Sequence, residues 1–398
     1  MQLTYKFDIS NNPKLIELFT YSKNLYNQAN YLIKQELDKH GKWIRYYELN
    51  KILKNSEPEF DNYYKLKAQT NQQVLRQIDK DWSGYFKSIK LWKVNPELFN
   101  GMPKPPNYKK KHNLLIFTNQ NCTIKNNQIK LYKDLIIDIP RYKDKDFSKF
   151  NQIRILPRNN YIEIEIVYTQ QEKKLINNDI YGSIDLGINN LITLVSQERP
   201  IIISGKQIKS INQFYNKQIS KLQSQTKKYR TKQMNLVTDK RNRKIKDILH
   251  KTSKFIVDYC IEKGIGNLVV GYNKQWKTSM NLGKRTNQTF TNIPYYRLLN
   301  MIKYKGLLNG IKVIETEESY TSKCDSLALE EIKKHETYSG KRTKRGMFIS
   351  SVGKMINADV NGALNIMRKV VHESIVKTIM DNGLLFRPVK INNLFLIN

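Results

Sequence analysis

The sequence predicts two kinds of architecture in one chain: an α+β N-terminal region followed by an α/β domain. Three observations lead there. Apolar residues alternate with period two at both ends of the first 170 residues, around Tyr5 and around Ile164, as in half-buried strands. Between them lie stripes with the period of an amphipathic helix. Near residue 180 the pattern changes to three strands followed by alternating helices and strands.

The elements follow in order. Leu3, Tyr5 and Phe7 alternate with polar residues. Asn12 is placed to cap a helix with Pro13 at its first position, because proline has no N–H to lose there. Leu15, Leu18, Phe19, Leu25, Tyr26, Ala29, Leu32 and Ile33 form its apolar stripe. Leu75, Ile78, Trp82, Tyr85, Phe86 and Ile89 form another, ending before Asn95-Pro96. Residues 12–95 thus read as a helical insertion behind the first strand. Gly101-Met102-Pro103-Lys104-Pro105-Pro106 is a stiff linker. Strands are expected at 114–117, 129–131, 135–137 and 162–166. Residues 1–11 and 96–178 together suggest a β-barrel interrupted by the insertion, with an open antiparallel sheet as the alternative.

The second half opens with Tyr181-Gly182-Ser183-Ile184-Asp185-Leu186-Gly187, a strand ending in a glycine turn. Strands at 191–195 and 201–203 follow, then a basic helical stretch over 206–263. Leu268-Val269-Val270 and Ile311-Lys312-Val313-Ile314 are further strands separated by a helix, and the last strong helix starts near Ala358. That order, with 179–370 as one domain, is the order of an RNase H-like α/β fold. Residues 371–398 read as a weakly specified tail.

Composition narrows the partners. Lys and Arg number 69 against 35 Asp and Glu, a formal net charge of +34, which predicts a polyanion. Nucleic acid is favoured over a membrane surface, since no basic amphipathic anchor or lipidation signal appears. No apolar run is long enough to span a bilayer, and the first residues read as a strand rather than a signal peptide. Cys122, Cys260 and Cys324 lie far apart, which fits the reducing cytoplasm and no disulfide scaffold.

Two aspartates stand out. Asp185 sits where a core strand meets a turn, and a carboxylate there is costly unless paired or bound to metal. Asp359 opens the last helix, where an acid also favours the helix dipole. Together they suggest a divalent-metal site, in which two Mg2+ ions act on a phosphodiester.

Ser183-Ile184-Asp185-Leu186-Gly187-Ile188-Asn189-Asn190-Leu191 resembles the first RuvC motif of the TnpB family, the OrfB proteins of insertion sequences related to compact type V CRISPR effectors. Asn357-Ala358-Asp359-Val360-Asn361-Gly362-Ala363-Leu364-Asn365-Ile366 resembles the third, and Ser319-Tyr320-Thr321-Ser322-Lys323-Cys324 the segment between. The resemblance implies a wedge-type barrel, a helical recognition insertion and a RuvC-like nuclease domain. It implies an RNA-guided, Mg2+-dependent DNA endonuclease of a transposable element. Such a protein would hold a guide RNA, let base pairing read double-stranded target DNA and recognise a short flanking motif itself. One RuvC site would then cut. A monomer working in the bacterial cytoplasm, at the nucleoid when bound to DNA, is expected.

The chain departs from the family twice. The second RuvC motif usually ends the fourth strand with Glu, but here that strand runs Leu268-Val269-Val270-Gly271. Either the nuclease is inactive, leaving an RNA-guided DNA-binding repressor, or another acid substitutes. The next strand ends in Glu315-Thr316-Glu317-Glu318, and Gly271 would leave room for one of these to reach across. Glu317 or Glu318 is expected as the displaced ligand, ahead of Glu315. The second departure concerns the paired cysteines of many relatives. Only Cys324 remains, with His335 distant in sequence, so no zinc is expected. Residues 324–354 replace the zinc ribbon. A strand transferase with its own nucleophile ranks last, because no tyrosine or serine recombinase site is recognisable.

Phosphate contacts are expected from Lys109, Lys110 and Lys111, from Lys227, Lys228, Arg230, Arg241, Arg243 and Lys244, and from Lys341, Arg342, Lys344 and Arg345. Gln69, Thr70, Asn71, Gln72, Gln73 and Arg76 cluster hydrogen-bonding groups suited to base edges, and are the expected readers of the flanking motif.

Overall fold

The chain begins with strand β1 (Gln2–Ile9), whose Tyr5 and Phe7 turn into the core while their neighbours face out. This computed structural model describes residues 1–55, 62–140, 146–226, 229–273, 293–344 and 346–392. They fall into two compact units, Met1–Gln170 and Gln171–Asn398. No helix among the described residues is long and apolar enough to cross a membrane.

In the first unit Asn12 caps helix α1 (Pro13–His40), accepting from the Leu15 N–H at 3.2 Å, with Pro13 in the first turn. Gly41 ends it in the left-handed region at φ 63°, where other residues are strained. A short helix α2 (Tyr46–Lys54), not foreseen from the sequence, precedes α3 (Ala68–Val94). Six strands follow: β2 (Leu115–Thr118), β3 (Thr123–Lys125), β4 (Gln128–Tyr132), β5 (Leu135–Asp138), β6 (Phe150–Pro157) and β7 (Ile162–Thr169). One antiparallel sheet has the order β1-β7-β6-β2, and β3-β4-β5 form a separate meander. Among the described residues no ladder joins β1 to β2 or either to the meander, so the pairing is that of two open sheets. The barrel expectation gives way to its alternative. The helical stripes and the sheet's inner residues, such as Leu25, Ile33, Ile78, Ile155 and Ile164, share one buried cluster. Each such side chain contributes about 1.5–3 kcal/mol on burial.

Beside that core, Glu163 and Glu165 are buried on β7 and paired, Glu165 with Lys6 and with Arg154, Glu163 with Arg158. The alternation that made this strand legible therefore places its acids against cations rather than in water.

The second unit starts with β8 (Tyr181–Leu186), β9 (Asn190–Val195) and β10 (Ile201–Ser204). The basic stretch is two helices, α4 (Lys206–Thr226) and α5 (Lys232–Glu262), the second capped by Thr231. Then come β11 (Asn267–Gly271), α6 (Tyr295–Leu308) and β12 (Lys312–Thr316). A hairpin and a third strand, β13 (Lys341–Lys344), β14 (Met347–Ile349) and β15 (Met355–Asn357), lead into α7 (Ala358–Arg368). The described chain ends with α8 (Glu373–Asp381) and β16 (Val389–Ile391). The main sheet runs β12-β11-β8-β9-β10-β16. Its first three strands are parallel, while β9 is antiparallel to both β8 and β10. The element order is the one expected, three strands followed by alternating helices and strands, with one addition. The stretch from 371 is not a loose tail: Val376 and Ile379 bury one face of α8, and β16 joins the sheet parallel to β10.

Candidate active site

Asp185 is the fifth residue of β8, between buried Ile184 and Leu186. Asp359 lies in the first turn of α7, whose N-terminus is capped by the Asn357 side chain, which accepts from the N–H groups of Asp359 and Val360. The helix lies close on the strand. Ser183 Oγ donates to the Ala363 carbonyl at 2.7 Å, and a Cβ built on Gly362 would come within 3.1 Å of Asp185 Oδ2. Glycine at 362 thus lets the backbone of α7 sit directly against the Asp185 carboxylate. Asn190 Nδ2 donates to Asp359 Oδ2 at 2.5 Å and fixes that carboxylate from the start of β9.

The electrostatics follow from this packing. Burial pushes the Asp185 carboxyl up to about 7, and the charge of Asp359 adds to the rise. Arg342 and the Leu186 N–H oppose it. A half-buried carboxylate beside a second one is a site that a cation would relieve.

The three glutamates near β12 have different surroundings. Glu315 pairs with Lys303 on α6. Glu317 accepts from the Ser319 N–H at 2.8 Å and pairs with Lys369 at 3.1 Å. Partial burial pushes it up, but the Ser319 and Lys369 bonds hold it below the usual carboxylate range. Glu318 turns the other way. Its Oε2 lies 3.3 Å from where a Cβ on Gly271 would stand, and that Cβ would also come within 2.5 Å of Ile366 Cδ1. Position 271 therefore has no room for a side chain unless Ile366 moves, and the Glu318 carboxylate reaches the adjoining space. Tyr295, buried at the start of α6, donates to the Gly187 carbonyl at 2.9 Å. Its phenol is raised by burial, then by the charges of Asp185 and Glu318. One hydroxyl thus feels both acids. The donor set is the hard-oxygen kind that suits Mg2+. Even so, among the described residues no three His, Cys, Asp or Glu side chains are already gathered to hold a metal ion.

The expected nucleic-acid contacts divide by burial. Thr70 and Asn71 are buried and engaged: Thr70 Oγ1 accepts from Asn121, and Asn71 Nδ2 donates to the Tyr63 and Leu66 carbonyls. They hold the start of α3 and have no access to bases. Gln69 is tied to Thr118 and Gln120. Gln72 and Gln73 are half-buried, and Arg76 is exposed with its guanidinium 4.6 Å from the Tyr46 ring centre. Lys109 is half-buried, its backbone clasped by Asn27 and its ammonium over Tyr26, whereas Lys110 and Lys111 are exposed. Arg241 is committed to joining α4 and α5, donating twice to Asn212 Oδ1 at 2.7 and 2.9 Å. Arg230, Arg243, Lys244, Lys341, Arg342 and Lys344 are exposed. Lys227, Lys228 and Arg345 lie outside the described residues.

The sequence motifs do not single out Asn190 or Tyr295. Asn190 stands inside the first motif, so its position was available; Tyr295 depends on a contact between distant segments.

Comparison with known proteins agrees with the motif pattern. Residues 165–277 match the OrfB_IS605 family, described as a probable transposase, and residues 295–366 match the Cas12f1-like TNB domain. Asp185 falls in the first match, Glu318 and Asp359 in the second. The TnpB-like protein ORF457 of Acidianus two-tailed virus is 24% identical over 405 residues, covering 90% of this chain and 83% of that protein. The chain resembles the TnpB proteins. A second relative is the CRISPR-associated endodeoxyribonuclease Cas12f2 of Micrarchaeota archaeon (strain CG1_02_47_40). It is 27% identical over 241 residues, which cover 57% of this chain and 44% of Cas12f2. Among solved structures, a Cas12f1–sgRNA–target DNA complex aligns over 92% of this chain with 14% identity and a TM-score of 0.38, covering 98% of that protein chain. The mini-RNA-guided endonuclease CRISPR-Cas_phi3 aligns over 92% of both chains with 12% identity and a TM-score of 0.48. Scores this low leave the fold to be read from the strand order itself.

Proposed function

We propose that the chain is an RNA-guided, Mg2+-dependent DNA endonuclease of a transposable element, cutting target DNA beside a short flanking motif at one RuvC-type site. The observation that carries the reading is the Asp185–Asp359 pair, set strand against helix start on an RNase H-like sheet, with Asp185 raised to about 7 by burial and by its neighbour's charge. A TnpB-like sequence and a relative named as an endodeoxyribonuclease support it.

Asp185, Asp359 and Glu318 would hold the metal. Bound Mg2+ would supply positive charge to the reacting phosphate and acidify a water. Asn190 keeps the Asp359 carboxylate turned to one side. Tyr295 fixes the turn after Asp185 through Gly187. Gly362 keeps α7 close enough for the two aspartates to share one site. Exposed Arg243, Lys244, Lys341 and Lys344 would neutralise phosphates of the guide RNA and the target duplex, in keeping with a net charge of +34. Arg76 and the half-buried Gln72 and Gln73 remain as base-reading groups on α3.

One test decides the reading. The full chain is purified with its bound RNA, the RNA is sequenced, and matching duplex DNA is added with Mg2+. A discrete RNA and cleavage abolished by Asp185→Ala are expected. No discrete RNA would sink the guided reading. Guided binding without cleavage would favour the repressor, the reading that Gly271 in place of the second-motif glutamate supports.

A further inference from the structure

Below the hairpin β13–β14 lies a third aspartate, fully buried, that the proposed chemistry does not use. Asp325 Oδ1 accepts from the N–H groups of Leu327 (3.1 Å) and Ala328 (3.3 Å), and Oδ2 from Ser350 Oγ (2.7 Å), Ser351 N (2.7 Å) and Ser351 Oγ (3.0 Å). Ser350 and Ser351 form the turn between β14 and β15, so one carboxylate ties that turn to the loop after Cys324. Glu330 supports the knot from outside, accepting from the Asp325 N–H at 2.7 Å and from Ser339 N and Oγ at 2.8 and 2.9 Å. Asn361 and Asn365 on α7 close it from below, bonding Ser326 and the carbonyls of Thr321 and Cys324.

The knot leads to the candidate active site by a short path. Asp325 Oδ2 stands 3.1 Å from where a Cβ on Gly340 would be, directly before β13. Across the small sheet, Arg342 pairs with Phe348 and Phe348 with Ile356, forming one row. Ile356 is three residues before Asp359, and the Ala358 N–H donates to the Gly346 carbonyl in the hairpin's turn. The hairpin is thus fixed at one end by Asp325 and at the other by the start of α7. Arg342 is exposed on the middle row of the hairpin, in register through Phe348 with Ile356, three residues before Asp359.

We propose that Asp325 is a positioning residue: its hydrogen-bond knot holds the β13–β15 sheet so that Arg342 is aimed at the phosphate bound between Asp185 and Asp359. A buried carboxylate with several donors fixes geometry well, because every lost bond strands a buried partner. The inference rests on the nuclease reading for the role of Arg342, though not for the knot itself.

The test compares Asp325→Asn, Arg342→Gln and the double variant in the full chain with its copurified RNA. Asparagine keeps the shape but turns an amide NH2 toward backbone N–H donors on one side. If the knot acts through Arg342, both single variants slow cleavage by about tenfold or more while target binding changes little, and the double variant is no slower than Arg342→Gln. Multiplying effects, or an unchanged rate in Asp325→Asn, would overturn the proposal. Hydrogen exchange gives a second readout that needs no activity. Asp325→Asn should speed amide exchange across 341–349 and 355–357 while leaving β8 and β11 protected. Unchanged exchange there overturns the proposal even if the chain never cuts DNA, whereas a wild type that does not cut overturns the nuclease reading instead. If Asp325→Asn does not fold, Ser351→Ala removes one side-chain donor and the same comparisons apply.

Discussion

Two aspartates of the second unit lie close to α7 in opposite circumstances. Asp325 accepts from five donors and is complete as it stands. Asp185 has the Leu186 N–H and the distant pull of Arg342 against burial and the charge of Asp359. The same side chain in the same domain is satisfied in one place and unsatisfied in the other. The difference is the supply of donors: loops with free N–H and hydroxyl groups surround Asp325, whereas the strand that carries Asp185 gives it the Leu186 N–H and spends its other N–H groups on the sheet. A satisfied carboxylate holds structure, and an unsatisfied one is the kind that a cation would relieve.

The sharpest break of this comparison is to remove each acid. Asp185→Ala should lower the cleavage rate by about a thousandfold or more, as loss of a metal ligand does, with little change in target binding by gel shift. Asp325→Ala should do the reverse in stability, lowering the unfolding free energy by roughly 3 kcal/mol in urea titration, because its donors are left buried and unpaired. Equal stability losses at the two positions would dissolve the distinction.

A finer division separates adjacent glutamates. Glu317 is occupied by Ser319 and Lys369, and Glu318 lies toward Gly271 and Tyr295. Glu318→Gln should slow cleavage by about a hundredfold, and Glu317→Gln by less than about threefold. The opposite ranking would move the third ligand to Glu317. Nothing in the local sequence distinguishes them. They are neighbours in an irregular stretch, and their directions are set by Lys369, fifty-two positions away, and by a glycine on another strand. The aspartates were legible for the contrary reason: each sits in a local strand-to-turn or cap-to-helix pattern that implies its own environment. The strand order was legible too, since period and length mark each element without knowledge of its partner. What escaped was anything decided by distant packing. Thr70 and Asn71 look like surface polar residues in a basic chain, yet they are buried to hold the start of α3. Strand β16 is three residues long and exists because β10 offers it an edge.

The smallest effect concerns pH and tests the cause of the Asp185 shift. Its folded value near 7 lies above the 3.8 of an unperturbed aspartate, so between these values the folded chain binds more protons than the unfolded one. Its contribution is therefore most favourable below about pH 4 and is lost as pH rises through 7. In EDTA, wild type should lose stability between pH 5 and pH 8 relative to Asp185→Asn, by an amount on the order of 1 kcal/mol or more. Added Mg2+ should remove the difference, since a bound cation favours the ionised carboxylate and brings its folded value back down. Asp359→Asn should reduce the loss without abolishing it, since burial is the larger cause of the rise and the neighbouring charge the smaller. A slope that survives Asp185→Asn would assign the titration to another group. One that Mg2+ leaves untouched would mean the pair raises Asp185 without recruiting the ion.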